Sequence, residues 1–372
     1  MILKHWSEAI IILLFIVTLI QLAYYLVIFS RLAFYKPKQK LNSQEQPVSV
    51  IVCAKNEAKN LLKNLPGVLV QTYKTTHEVI LVDDNSTDDS KYVIEELQRA
   101  FKILNPIKLK QEARLTTGKK FPLSMGIKAA RYETLLLTDA DCVPASDNWI
   151  KIMQDGFNDG TEIVLGYGAY HKAPGILNKI IRFETFHSAL QYLSYALAGM
   201  PYMGVGRNLS YKKGVFLRNN GFSSYSQIPG GDDDLFINAA ATKTNTNIVI
   251  DPQAHTLSEP KRTWENWLNQ KYRHYSTAKY YKKKHRLLLG LYSATQFLIY
   301  PLTVAALFYS WKLALLFFCI RLSAQAIIFN KTMKKLNEAD LFPMFVLFDM
   351  WMCVYYLMFL PALFKRPNKK WN

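Results

Sequence analysis

The sequence predicts an α/β fold: a doubly wound, mostly parallel sheet with membrane helices at the N- and C-terminal ends. Three observations carry this. Short apolar runs alternate with helical stretches between residues 48 and 138. Long apolar blocks precede and follow that region. Acid clusters stand where strands end: Asp83-Asp84 after Val79-Ile80-Leu81-Val82, and Asp139 and Asp141 after Thr134-Leu135-Leu136-Leu137. A third cluster, Asp232-Asp233-Asp234, follows the loop Ile228-Pro229-Gly230-Gly231. Open α/β sheets bind ligands outside the carboxyl ends of their strands. A cleft that acidic invites a divalent metal and a phosphorylated ligand, because the metal offsets charge repulsion.

Each element follows in order. Residues 10–29 form a nearly unbroken apolar run of membrane-spanning length. Arg31, Lys36, Lys38 and Lys40 follow it, with no small-x-small cleavage site, so residues 1–35 read as a retained anchor. Residues 36–46 are polar and read as a linker. Residues 48–54 are apolar without alternation, as in a parallel strand buried on both faces. Helix is expected over 56–70, 88–100 and 124–132, and strand over 79–82, 107–109 and 135–138. Ile176, Ile180, Phe183, Phe186, Leu190, Leu193 and Leu197 repeat at helical spacing. That helix fits two places, the membrane surface or the domain's own core. Residues 287–330 are long enough for two spans, and residues 342–364 form a last apolar block. The division is therefore 1–35 anchor, 36–286 catalytic-type domain, and 287–372 membrane region of two to three segments with a short basic tail.

The chain of 372 residues has a formal net charge of +18. Much of the excess flanks membrane segments, where it meets anionic headgroups, so no nucleic-acid partner is expected. Lys282-Lys283-Lys284-His285-Arg286 and the basic residues after the anchor border the domain on both sides. The positive-inside rule then places it in the cytoplasm, tethered to the inner or plasma membrane. Four full spans would put the C-terminus outside, yet Lys365-Arg366-Pro367-Asn368-Lys369-Lys370-Trp371 is basic. Pro343 and Pro361 suit a re-entrant or interfacial last block. Cys53, Cys142, Cys319 and Cys353 have no paired or ligand spacing and read as reduced packing residues. His171, His187 and His255 likewise read as structural.

Seven landmarks stand in order: Val48-Ser49-Val50-Ile51-Val52-Cys53-Ala54-Lys55-Asn56-Glu57, Val82-Asp83-Asp84-Asn85-Ser86-Thr87-Asp88, Gly118-Lys119, Thr138-Asp139-Ala140-Asp141, Gly204-Val205-Gly206-Arg207-Asn208, Gly231-Asp232-Asp233-Asp234-Leu235 and Gln270-Lys271-Tyr272-Arg273-His274. Together they resemble the membrane-bound glycosyltransferases of family 2, with the GT-A fold, over about residues 45–290. The resemblance implies the following roles. The backbone at Ala54 and the Glu57 side chain hold uridine, although Glu57 also suits a helix N-terminus. Asp83 and Asp84 face uracil, while Ser86 or Thr87 caps the next helix. Lys119 neutralises the diphosphate, and Lys120 either shares that role or is a solvated charge. Asp139 and Asp141 are the DxD pair that binds Mg²⁺ or Mn²⁺. Gln270 and Arg273 lie on one helical face, where the planar guanidinium suits diphosphate oxygens. Gly204-Val205-Gly206 lies under the acceptor. Asp232 is the base, with Asp233 in reserve, because Gly231 replaces the glutamate of the family's "EDxxL" and leaves the register open by one residue. Ser124 replaces an asparagine. His274 replaces the tryptophan of "QxxRW"; an imidazole has a smaller stacking face and can charge near neutral pH. Trp264 and Trp267 either line the acceptor path or anchor at the interface.

The expected function is an inverting transferase for the cell envelope that uses a UDP-sugar donor and a lipid or glycan acceptor. A processive polysaccharide synthase shares the nucleotide motifs. The changed "QxxRW" and about four candidate spans favour single transfer. A membrane scaffold with an inactive transferase domain is the alternative of another class.

Overall fold

The computed structural model describes residues 2–37, 45–110 and 118–364, with side chains from Ser7 onward. Lys38, Lys40 and the basic stretch after residue 364 lie outside the described residues. In chain order the helices and strands are α1 (Ile2–Ala23), continued by a π-helical turn (Tyr24–Phe29) into α2 (Ser30–Ala33), then β1 (Val48–Ala54), α3 (Ala58–Leu69), β2 (His77–Asp83), α4 (Ser90–Ala100), β3 (Leu104–Lys108), α5 (Lys120–Ala129), β4 (Thr134–Asp139), β5 (Cys142–Pro144) and α6 (Trp149–Asp155). Next come β6 (Ile163–Leu165), β7 (Gly168–Tyr170), α7 (Ile176–Leu197), β8 (Leu209–Lys212), α8 (Lys213–Arg218), α9 (Asp234–Ala240), β9 (Thr246–Ile248), β10 (Thr256–Ser258), α10 (Trp264–Tyr275), α11 (Lys283–Lys335) and α12 (Phe345–Phe359).

The main sheet has the order β3-β2-β1-β4-β8-β6-β9. Its first four strands are parallel, and β8 runs against both β4 and β6. Side-chain alternation builds a core on each face. Val48, Val50 and Val52 pack with Leu61, Leu65, Ile94 and Trp149 on one side. Ile51 and Cys53 pack with Leu123 and Ile127 on the other. On that side α5 lies close to the strands: a Cβ added at Gly126 would sit 2.8 Å from an Ile51 methyl. A smaller sheet, β5-β10-β7, lies beside the main one.

The strands and first helices fall where the sequence places them, with ends shifted by a few residues. Helix α7 does not lie at a surface: most of its side chains are buried, including Arg182, Glu184 and His187. Phe183 and Phe186 join one continuous core with Tyr25, Phe29 and Phe329 of the apolar helices. The core reading of α7 therefore holds, and the domain and the apolar helices share that core rather than meeting at a linker.

Among the described residues, three segments are long and apolar enough to cross a membrane: Ser7–Ala33, Lys283–Lys335 and Ala339–Leu363. Non-helical Ser310 (φ −151°, ψ 76°) folds α11 into a hairpin. The Tyr300 and Phe318 rings lie 6.0 Å apart across it. The last segment does not lead away from the domain. Near its start Lys179 approaches the Met344 sulfur at 3.8 Å. Near its end the Tyr272 hydroxyl donates to the Met358 carbonyl at 3.0 Å. Both ends of α12 thus touch the domain, as a re-entrant or interfacial element would.

Candidate active site

The site forms where the parallel strands end. Ala54 pairs with Asp83, and Cys53 with Asp139, so β1, β2 and β4 stop at one level. The chain leaves β1 toward β2 on one side and returns to β4 on the other, which opens a crevice there. A cavity of about 1050 Å³ occupies it. Its walls include Glu57, Lys119, Asp139, Asp141, Asp232, Asp233, Gln270 and Arg273. Residues more than 130 positions apart in sequence, such as Asp139 and Arg273, thus share one cavity.

The nucleotide-side residues have firm local anchors. Asn56, at φ 56°, accepts from the Thr87 N–H at 2.8 Å, and its own N–H donates to Ser86 Oγ at 2.9 Å. These bonds tie the loop after β1 to the loop after β2. Glu57 Oε2 accepts from Asn60 Nδ2 at 2.5 Å, and burial raises the Glu57 pKa despite that bond. Asp83 is buried and accepts from the Ser86 N–H at 3.0 Å. Asp83 and Asp84 are at the expected strand end but are not among the cavity-lining residues. Neither Ser86 nor Thr87 caps α4. Asp88 instead accepts from the N–H of Ser90, the first residue of α4, and from the N–H of Ala58, the first residue of α3.

Lys119 and Asp139 form an ion pair inside the cavity. Burial opposes the Lys119 charge, but Asp139, Cys53 and Asp232 outweigh it and hold its pKa well above the ordinary value. The same pairing outweighs burial at Asp139 and keeps that carboxyl low. Asp141 goes the other way, raised by burial and by neighbouring Asp139. Lys120 neither faces a diphosphate nor meets solvent. It is buried and donates to the carbonyls of Ile228 and Gly230, so it fixes the loop that carries the acid triplet.

Ligand atoms of Asp139, Asp141 and Cys142 lie within 4.8 Å of one another. Burial, then Asp141 and Asp139, raises the Cys142 thiol well above its usual range, which keeps it a neutral packing group. The hard donors are the two carboxylates, the set that suits Mg²⁺ or Mn²⁺. A divalent ion therefore fits here.

The acid triplet divides its labour. Gly230 and Gly231 both have positive φ (78° and 81°), a turn that admits few other residues. Asp233 caps α9: its two oxygens accept from Gly206 N–H at 2.8 Å and Asp234 N–H at 2.7 Å. Burial, then Asp232 and Asp234, pushes the Asp233 pKa up to about 8. Asp234 accepts from Thr277 at 2.5 Å and Tyr281 at 2.8 Å. Asp232 lines the cavity and makes no hydrogen bond among the described residues.

Helix α10 brings Gln270, Arg273 and His274 to the cavity, with the Gln270 Oε1 buried and without a partner. His274 opens onto that space. It is exposed to that space, and desolvation within the crowded cavity, then Lys271, Arg273, Arg207 and Lys261, lowers its pKa below an ordinary histidine's. Trp267 lines no acceptor path and anchors in no interface. It is fully buried, and its ring packs 6.0 Å from those of Tyr355 and Phe359, docking α12 on α10.

Arg207, which the landmark at residues 204–208 contains without a role of its own, stacks 4.4 Å from the Tyr170 ring centre, with its charge near Asp139 and Asp141. His187 lines the cavity, so reading it as purely structural was incomplete. Its Nε2 lies 3.0 Å from the Tyr292 hydroxyl, and burial lowers its pKa to about 4. His255 is structural, buried against Tyr167. Glu184 and Lys271 form a buried ion pair in the cavity wall. The polar repeat of Glu184, His187, Ser188 and Gln191 on one helix was the signal available for them.

A parallel sheet that stops at a DxD pair, with a cavity closed by an acid-bearing loop and a basic helix, defines a nucleotide-diphospho-sugar transferase fold of the GT-A type. Residues 49–198 match glycosyl transferase family 2, and residues 137–364 match glycosyl transferase family group 2. The chain belongs to glycosyltransferase family 2. It is similar to the probable glycosyltransferase YdaM of Bacillus subtilis, 22% identical over 64% of this chain and 56% of that protein. It is 29% identical to the beta-monoglucosyldiacylglycerol synthase of Nostoc sp. over 34% of this chain and 26% of that protein. The matches thus span about half or less of these relatives' lengths. Among solved structures, the mannosyltransferase PcManGT from Pyrobaculum calidifontis, in complex with GDP-Man and Mn²⁺, shares the fold at TM-score 0.59 and 18% identity, covering 93% of this chain and 99% of that one.

Proposed function

We propose that the protein is an inverting glycosyltransferase that moves one sugar from a UDP-sugar to a lipid or membrane-proximal acceptor. The observation that carries this is the single cavity joining Asp139, Asp141, Asp232, Gln270 and Arg273. A divalent cation held by Asp139 and Asp141 would stabilise charge on the departing diphosphate. Arg273 and Lys119 would bind diphosphate oxygens, and a cation held by Asp139 and Asp141 would compete with the Lys119–Asp139 ion pair. Glu57 in the cavity wall, with Ala54, Asp83 and Asp84 buried at the strand ends beside it, would hold the nucleoside. Asp232 takes the proton of the attacking acceptor hydroxyl; its neighbours Asp233 and Asp234 are already engaged in capping and in bonds to Thr277 and Tyr281. The manganese in the Pyrobaculum mannosyltransferase complex supports the metal assignment. The glycolipid synthase among the relatives supports a lipid acceptor.

The three apolar segments support an integral membrane protein, and the basic residues that flank them support a cytoplasmic catalytic domain. One measurement tests the activity: release of UDP from a panel of UDP-sugars by the purified chain, with Mn²⁺ and with EDTA. Release that needs metal is expected. No release from any member would remove the donor assignment and favour the inactive scaffold.

A further inference from the structure

The cavity does not end at the acid loop. It continues past Arg286 and opens between α11 and α12, where Leu289, Gly290, Ala294, Phe297, Met352 and Leu363 form its walls. We infer that this arm holds the hydrocarbon chain of the acceptor, an acyl-chain lipid whose headgroup hydroxyl reaches Asp232. The inference rests on the transferase reading above and names the acceptor class for the same site.

Polarity along the cavity sets the ligand's orientation. The end near β1 and β4 carries the carboxylates and Arg273. The middle carries Glu184, His187, Ser188 and Gln191 of α7, where a headgroup of several hydroxyls finds donors and acceptors. The far arm is largely aliphatic and aromatic, with the Tyr355 and Tyr356 hydroxyls in its wall. Its Ser293 hydroxyl is already turned back to the Leu289 carbonyl at 3.0 Å. A glycan in transit carries hydroxyls that need partners along its path, and besides those two phenols this stretch offers few. A hydrocarbon chain needs none and gains by leaving water.

Depth agrees. From Gly290 to Phe297 a helix advances about 10 Å, roughly a third of a bilayer's hydrocarbon core. The arm therefore runs beside a spanning hairpin at the depth where a lipid's first methylenes lie, and it opens toward them. Gly290 keeps the arm wide: a Cβ built there meets nothing within 4 Å. A bulky side chain at that point enters the arm instead of colliding with the fold.

The test uses the full chain in nanodiscs doped with a diacylglycerol carrying a photoactivatable diazirine on its acyl chain. After irradiation, crosslinks are mapped by mass spectrometry. Met352 is only 1% exposed, so a label there arrives through the cavity and not from the surrounding bilayer. Labelling of Met352 or Phe297 is expected, with at least a fivefold loss in Gly290→Trp. Gly290→Trp should melt within about 2 °C of wild type, which shows that it folds. Ala294→Phe serves if Gly290→Trp fails to fold, and Leu287→Trp, 73% exposed and outside the cavity, is the control. Label confined to exposed positions such as Leu287 and Leu298, or wild-type cavity labelling in both blocked variants, overturns the inference. Labelling needs no donor, so loss of UDP release with intact cavity labelling would reject the transferase reading alone.

Discussion

Two clusters of enclosed charge in this protein have opposite characters. Between the apolar helices, Asp349 is completely buried and accepts from Gln296 at 2.8 Å, Tyr300 at 2.5 Å, Arg321 at 2.6 Å and Gln325 at 2.6 Å. Arg321 is equally buried and also reaches the Tyr25 hydroxyl at 3.2 Å. The two charges there answer each other, although Arg321 Nε and Gln296 Oε1 have no hydrogen-bond partner among the described residues. In the cavity, Asp139, Asp141, Asp232 and Asp233 stand together with Lys119 and Arg207, and Asp232 is left without a hydrogen bond among the described residues. The closed cluster ties the apolar helices together, and the open one faces the cavity, partly exposed. Charge gathered at a cavity wall without partners of its own marks a candidate ligand site.

The largest expected effect comes from opening the catalytic cluster further. Asp139→Asn or Asp141→Asn, or EDTA on the wild type, should cut transfer by about 10³-fold while the thermal midpoint stays nearly unchanged, since the metal acts on the leaving group. Full turnover in EDTA would sink the metal assignment. Asp232→Asn should lower transfer by about 10²-fold or more and leave UDP binding intact in calorimetry. If Asp233→Asn is dead and Asp232→Asn is active, the base is Asp233 and not Asp232.

The closed cluster should answer in stability instead. Arg321→Met strands the Asp349 carboxylate and should cost about 3–5 kcal/mol, read as lost yield and an early melting transition in detergent. The double variant Arg321→Met with Asp349→Leu should recover much of that. If the single variant melts like wild type but loses transfer, the distinction between the clusters fails.

A smaller effect concerns pH. The Asp233 pKa rises from the ordinary carboxylate range to about 8 in the fold, so the folded state holds a proton that the unfolded chain releases near pH 4. Its contribution is complete below that range and is lost as pH climbs through 8. Wild type should therefore soften between about pH 4 and 8 and level off above that, and Asp233→Asn should show a flatter profile even if its baseline is lower. The smallest effect is in the product. With the His274 pKa lowered and the far arm largely apolar, products labelled from a UDP-sugar should carry one added sugar and stay with the membrane fraction. A ladder or a released polymer in the mass spectrum would promote the synthase reading.

Much of this was legible in the sequence. Continuous apolar runs marked β1, β2 and β4 because a strand buried on both faces leaves no polar position. The DxD pair, Gln270 and Arg273 were visible because each motif lies within one turn or one strand end. Other features needed the third dimension. Whether α7 faced lipid or core could not be read from its apolar repeat, since its polar residues, Arg182 with Glu338 and Asp340, and Glu184 with Lys271, find partners far along the chain. Trp267 was ambiguous for the same reason, because α12, which covers it, begins 78 residues later. The choice among the three acids also depended on distant groups, Gly206 for Asp233 and Thr277 and Tyr281 for Asp234.

By itself, then, the sequence determined the order of β1 to β4 and of the helices between them, the apolar segments and the chemical nature of the residues at strand ends. These depend on local periodicity and on side chains a few positions apart. Only the tertiary structure decided which carboxylate stays available, that Lys120 braces a loop, that both ends of α12 lie against the domain, and that one cavity runs from Asp139 to Phe297. Each of these depends on contacts between segments that meet only after folding, and no local pattern records them.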